Sequence, residues 1–259
     1  MLHSYDPSYD PSYDPSHGSS HDPHDPVDAP RVLERRDGPY GEVVLRRHGG
    51  VLQIIANGCF LMDTSDGRSE RLLVRAALGE LDQQDKLNQL GDRAGPRRPS
   101  VLIGGLGVGF SLAEAAAEPR WGRITVVERE RAIIDWHREG PLAEISAGAL
   151  ADPRTEIICA DLVSYVRTAG TRYDALCLDI DNGPDWTVTE DNASLYSPAG
   201  LADCLARLAP GGVLAVWSAQ PSGAFEEALR NIGFRRVRTE EIAVARGVPD
   251  VVHLAAKPA

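Results

Sequence analysis

The stretch "VLIGGLGVGFSLAEAA", residues 101–116, runs from an apolar strand through three glycines into an alanine-rich helix. Gly105, Gly107 and Gly109 alternate through the turn. Glycine there permits a sharp reversal and lets a ligand approach backbone N–H groups at a helix N-terminus. Taken alone, the three glycines are weak evidence, since a junction that only needs close strand-to-helix packing also uses them. The next strand, "RITVVE", ends in Glu128. An acid about twenty residues past a glycine turn can accept hydrogen bonds from both hydroxyls of a ribose. The third strand ends in "CADLVSY", where Asp161, followed by Leu162, either reaches an adenine amino group or caps its own helix. The fourth, "YDALCLDIDNGPDW", passes straight from apolar residues into Asp179, Asp181 and Asp185. A glycine turn, a ribose acid, an adenine aspartate and an acidic fourth strand end, in that order, point to S-adenosyl chemistry.

Outward from this stretch, residues 100–259 alternate continuous apolar strands with amphipathic helices. That pattern predicts an α/β fold, a doubly wound, mostly parallel Rossmann-like sheet covered on both faces. Ligands in such sheets bind at the carboxyl ends of the strands, where strand order reverses. "FRRVRTEEIAVA" and "DVVHLAAKP" read as a closing hairpin. Upstream, "EVVLRR", "VLQIIA" and "CFLMD" predict three short strands of a small antiparallel β-domain over 31–66, with turns at "HGG" and "NG". Residues 67–99 read as a helix, capped by Ser69, and a linker. Residues 1–30 repeat Ser-Tyr-Asp-Pro and His-Asp-Pro units, too rich in proline for a helix and too poor in apolar groups for a core. They read as a disordered tail, and its histidines as solvated rather than metal-binding.

Composition narrows the function. A formal net charge of −11 opposes binding to nucleic acid or an acidic membrane. No apolar run is long enough to span a bilayer, and the N-terminus lacks a basic-then-apolar export signal. Cys59, Cys159, Cys177 and Cys204 are widely spaced among apolar neighbours. They read as small buried thiols in a reducing cytoplasm, with no disulfide and no zinc site. His137 and His253 have no visible partner and read as core or surface histidines.

From about Arg31 to Trp217 the chain resembles the spermidine synthase family, the polyamine aminopropyltransferases. "GPYGEVVLRRHGGVLQIIANGCFLMDT" is similar to their N-terminal sheet, "VLIGGLGVGFSLAE" to their glycine motif, and "YDALCLDIDNGP" to their strand ending in a catalytic aspartate. The resemblance implies a methyltransferase-type Rossmann fold, a homodimer, decarboxylated S-adenosylmethionine as donor and a polyamine as acceptor. It makes Asp179 the catalytic position and Asp181 a second carboxylate. Three departures stand out. Val108 occupies the place read as that of the family's aspartate for the donor's ammonium, Glu70-Arg71 replaces a Tyr-Gln pair, and a downstream Tyr-Pro-Ser-Gly segment is missing.

Aminopropyl transfer is displacement at a carbon beside a sulfonium, and the attacking amine must be neutral. Asp179 is expected to orient the amine and take its proton. Asp181 or Asp185 is expected to anchor the amine, with Trp186 and Tyr196 walling its methylenes. Methyl transfer from S-adenosylmethionine is the alternative, favoured by Val108, and a non-catalytic protein of the same fold is the third.

Overall fold

Charged side chains dominate the first strand, and they are what docks it. The computed structural model describes residues 29–88, 98–180, 182–187, 190–243 and 248–259. All but the last two residues of the expected tail, most of the expected linker, and Asp181 lie outside these. Four strands form the first sheet: β1 (Arg31–Gly38), β2 (Gly41–His48), β3 (Val51–Ala56) and β4 (Cys59–Asp63), antiparallel in that order. The sequence predicts only the last three. β1, "RVLERRDG", shows no apolar alternation, because its polar residues reach a helix of the second layer. Glu34 accepts the Trp136 indole N–H at 2.8 Å, and Arg36 donates to Asp135 at 2.8 Å. Asn57-Gly58, with φ of 51° and 79°, makes the left-handed β3–β4 turn. The Asn57 amide also pins the β1–β2 turn, accepting from Glu42 N–H and donating to Tyr40 carbonyl.

Helix α1 (Arg68–Asn88) follows. It starts one residue before Ser69, so Ser69 lies inside its first turn and is not the cap. Leu73, Val74, Ala77 and Leu78 are buried. Glu80 of α1 is fully buried and ion-paired with Arg236 and Arg238. A carboxylate in that position is tolerable only with such partners.

The second sheet has seven strands: β5 (Ser100–Gly104), β6 (Arg123–Glu128), β7 (Thr155–Cys159), β8 (Tyr173–Leu178), β9 (Leu208–Ser218), β10 (Arg235–Ile242) and β11 (Asp250–Ala256). Their order is β10-β11-β9-β8-β5-β6-β7, and β5 to β9 run parallel. β11 runs antiparallel to both neighbours. Helices α2 (Phe110–Ala117), α3 (Arg131–Glu139), α4 (Leu162–Thr168), α5 (Pro198–Arg207) and α6 (Gly223–Ile232) connect the strands. α4, α5 and α6 begin at the capping side chains of Asp161, Ser197 and Ser222. Strand order reverses between β5 and β8, so the glycine turn and Asp179 meet at one crevice.

Candidate active site

β5 is wholly buried and ends against β8: the Asp179 N–H donates to the Gly104 carbonyl at 2.9 Å. Gly105, at φ +90°, follows, and a Cβ there would sit 2.5 Å from the Asp179 carbonyl oxygen. The glycine is therefore needed for close approach of two strand ends as well as for the turn. Gly107 (φ +50°) and Gly109 (φ +98°) continue the left-handed path into α2.

Glu128, at the end of β6, is buried and holds the turn from one side. Its Oε2 accepts the Leu106 N–H at 2.9 Å and its Oε1 the Glu130 N–H at 2.8 Å. Burial pushes its carboxyl above the usual range, while those backbone N–H groups oppose the shift. Asp161 accepts the Ser164 N–H at 2.8 Å, so it is a helix cap. Glu128, Asp161, Leu162, Gly105 and Gly107 all line one cavity of about 420 Å³. Val43, Ile54 and Met62 of the first sheet close it from above.

Val108 does not face this cavity. It is fully buried in the core, whereas its neighbour Gly107 lines the cavity. The expectation that Val108 stands where a donor's ammonium would be met is therefore corrected. The residue facing the cavity is a glycine whose missing Cβ would collide with the Met62 thioether. The turn itself thus carries no acid.

Carboxylates gather instead at the other end of the cavity. Asp179 sits just past β8, with its Oδ2 accepting from the Ser111 hydroxyl at 3.3 Å. The same hydroxyl lies 3.2 Å from the Glu70 carbonyl oxygen, which ties the first turn of α1 to the start of α2. Glu70 is 9% exposed, and its Oε2 accepts from the Ser69 hydroxyl at 3.0 Å. Asp250 opens β11; because that strand is antiparallel, its first residue arrives beside Ser218 at the carboxyl end of β9. Burial, then the facing Glu70, pushes the Asp179 carboxyl up to about 7. Burial also raises Glu70 and Asp250. Asp66 is held low by the Arg68 guanidinium that bonds it. Among the described residues the cavity is lined by eight carboxylates and one basic side chain, Arg129. Arg129 lies at the Glu128 end, stacked on the Tyr40 ring at 4.5 Å and 3.5 Å from Glu130. Such a cavity attracts cations.

The other expected site residues fall elsewhere. Asp185 is exposed and accepts the Ser222 hydroxyl at 2.9 Å, at the start of α6. Trp186 is 65% exposed, and Tyr196 packs edge-on to Phe225 at 5.8 Å. None of the three lines the cavity. In the sequence Glu70 stands out only as a departure, and no motif marks Asp66, Ser111 or Asp250. Glu70 and Asp250 look like an ordinary first-turn acid and a strand-start acid, and only the assembled sheet brings them to Asp179.

A parallel sheet with an antiparallel seventh strand, a glycine turn and an acid ending the second strand of the sheet define a methyltransferase-like fold, here roofed by a small β-sheet. No family model matches the chain. It is 29% identical over 194 residues to a polyamine aminopropyltransferase of Mycobacterium tuberculosis, covering 73% of this chain and 33% of that protein. It is 30% identical over 143 residues to polyamine aminopropyltransferase 2 of Pseudomonas aeruginosa, covering 51% of this chain and 39% of that protein. The chain thus spans about a third of the length of the first of these relatives. A spermidine synthase solved with the transition-state analogue AdoDATO superposes with a TM-score of 0.65 at 19% identity, over 88% of this chain and 72% of that one. The Thermotoga maritima spermidine synthase gives 0.64 at 18%, over 88% and 73%. The fold is that of the spermidine synthases, and the chain is a divergent relative of the polyamine aminopropyltransferases.

Proposed function

We propose that this chain transfers an alkyl group of the aminopropyl kind from an S-adenosyl donor to a small amine. The observation that carries this reading is the continuity of one cavity from the glycine turn and Glu128 to the carboxylates Asp179, Glu70 and Asp250. The residues present fit such a donor. The turn lacks side chains at Gly105 and Gly107, and the Glu128 carboxyl lines the cavity beside it, its burial partly offset by backbone N–H groups. Glu128 would meet the ribose, and Asp161 and Leu162 the base. When bound, the donor supplies a carbon activated by an adjacent sulfonium.

The chain's own contribution lies at the acid end. An amine enters as an ammonium, and Asp179, Glu70 and Asp250 attract it. A carboxyl tuned to about 7 is suited to accept the amine's proton at neutral pH. The freed lone pair on nitrogen then attacks the carbon, the carbon–sulfur bond breaks, and its electron pair stays on sulfur. No basic residue lines the acid end among the described residues, which favours a donor without a carboxylate, that is, decarboxylated S-adenosylmethionine. Methyl transfer is the second reading, favoured by the absence of an acid at Gly107.

Asp179→Asn tests the role. It keeps size and most hydrogen bonding but cannot take a proton. Turnover with a panel of di- and polyamines should fall about 10²–10⁴-fold while methylthioadenosine still binds. Turnover within a fewfold of the parent would reduce Asp179 to a turn residue.

A further inference from the structure

His137 of α3 is a buried imidazole that lines no part of the cavity, yet it touches the glycine turn twice. Its Nε2 lies 2.9 Å from the Gly107 carbonyl oxygen. A carbonyl only accepts, so Nε2 carries the proton. Its Nδ1 is buried with no hydrogen-bond partner among the described residues. Burial lowers its pKa, while the nearby carbonyls of Gly107 and Leu142 oppose that, so the ring is held neutral. The second contact is steric: a Cβ on Gly109 would sit 2.6 Å from the ring's Cε1.

We infer that His137 is a positioning residue for the donor, setting the peptide plane between Gly107 and Val108 from behind the turn. In a trans peptide the carbonyl and the following N–H point in opposite directions. Holding the Gly107 carbonyl on the ring turns the Val108 N–H away from it. Gly107 has an open left-handed conformation and no side chain to fix that plane by itself. Glu128 fixes an earlier N–H of the same turn, that of Leu106, from the other flank. The two side chains clamp successive parts of one turn, so the turn is arranged before any nucleoside arrives. Such preorganisation saves the ordering cost of binding.

This inference rests on the adenosyl-donor reading, and its test separates the two. Methylthioadenosine affinity is measured by calorimetry for the parent, His137→Leu and His137→Gln, with melting curves for each. Leu fills the space but cannot donate, and Gln can donate from its amide. His137→Leu should weaken binding about three- to tenfold, the worth of one hydrogen bond. His137→Gln should recover most of it. In turnover assays the donor KM of His137→Leu should rise with kcat nearly unchanged. Equal affinity in the Leu variant, or a Gln variant worse than Leu, would overturn the inference, since either marks a packing role. Loss of folding in both variants would do the same. A parent protein that binds no methylthioadenosine would instead bring down the donor reading itself.

Discussion

At Asp179 the chemistry proposed for the site is also a cost to stability. Its carboxyl is pushed up to about 7 by burial and then by Glu70. An acid whose folded pKa exceeds its unfolded value binds the proton more strongly when folded. Its contribution to stability is therefore present at low pH and is lost as pH rises from about 4 to about 7. Asp179→Asn removes that loss. The variant should be more stable than the parent at pH 8, by on the order of 1–3 kcal/mol, with the gap closing near pH 4. Urea unfolding at the two pH values checks this, and an equal gap at both would contradict it. Glu128 should behave differently. Both its oxygens accept backbone N–H groups, so Glu128→Gln sets an amide donor against one of them. We expect a loss of about 1 kcal/mol in stability and a ten- to hundredfold loss of affinity for methylthioadenosine, the worth of charge-assisted hydrogen bonds. Calorimetry with unchanged affinity would remove Glu128 from the site.

At the scale of elements, most of the strand–helix alternation was legible because each parallel strand is a short apolar run bounded by turn residues. "RITVVE" is β6 from end to end, and "VLQIIA" is β3. β1 was not legible: its stabilising partners, Asp135 and Trp136, are remote in sequence, and local alternation cannot encode them. The helix starts show a similar split. Asp161 was readable as a cap or as a base ligand, and the structure shows it capping α4 while lining the cavity. The two roles separate by substitution. Asp161→Asn keeps an effective cap and should leave the melting temperature nearly unchanged, whereas Asp161→Ala should cost about 1 kcal/mol. If Asp161 also meets the base, Asn should still weaken methylthioadenosine binding. Equal binding by parent and Asn variant would leave it a cap alone.

Across the whole molecule, the site was half legible. The end at the glycine turn follows strand order, which that turn and an acid closing the next strand announce locally. The acid end is assembled from three distant places: the first turn of α1, the end of β8 and the start of an antiparallel β11. No spacing rule joins Glu70, Asp179 and Asp250, and the sequence pointed instead to Asp185 and Trp186, which follow Asp179 in the chain but turn outward. Charge summed over the cavity, eight carboxylates against Arg129, is a property of the fold and supports cationic ligands at both of its ends. The most direct test is to incubate the protein with decarboxylated S-adenosylmethionine and a panel of di- and polyamines, and to identify the products by mass spectrometry. The expected result is an aminopropylated amine with an equal amount of methylthioadenosine. Methylated amine and S-adenosylhomocysteine formed only from S-adenosylmethionine, or no product from either donor, would contradict it.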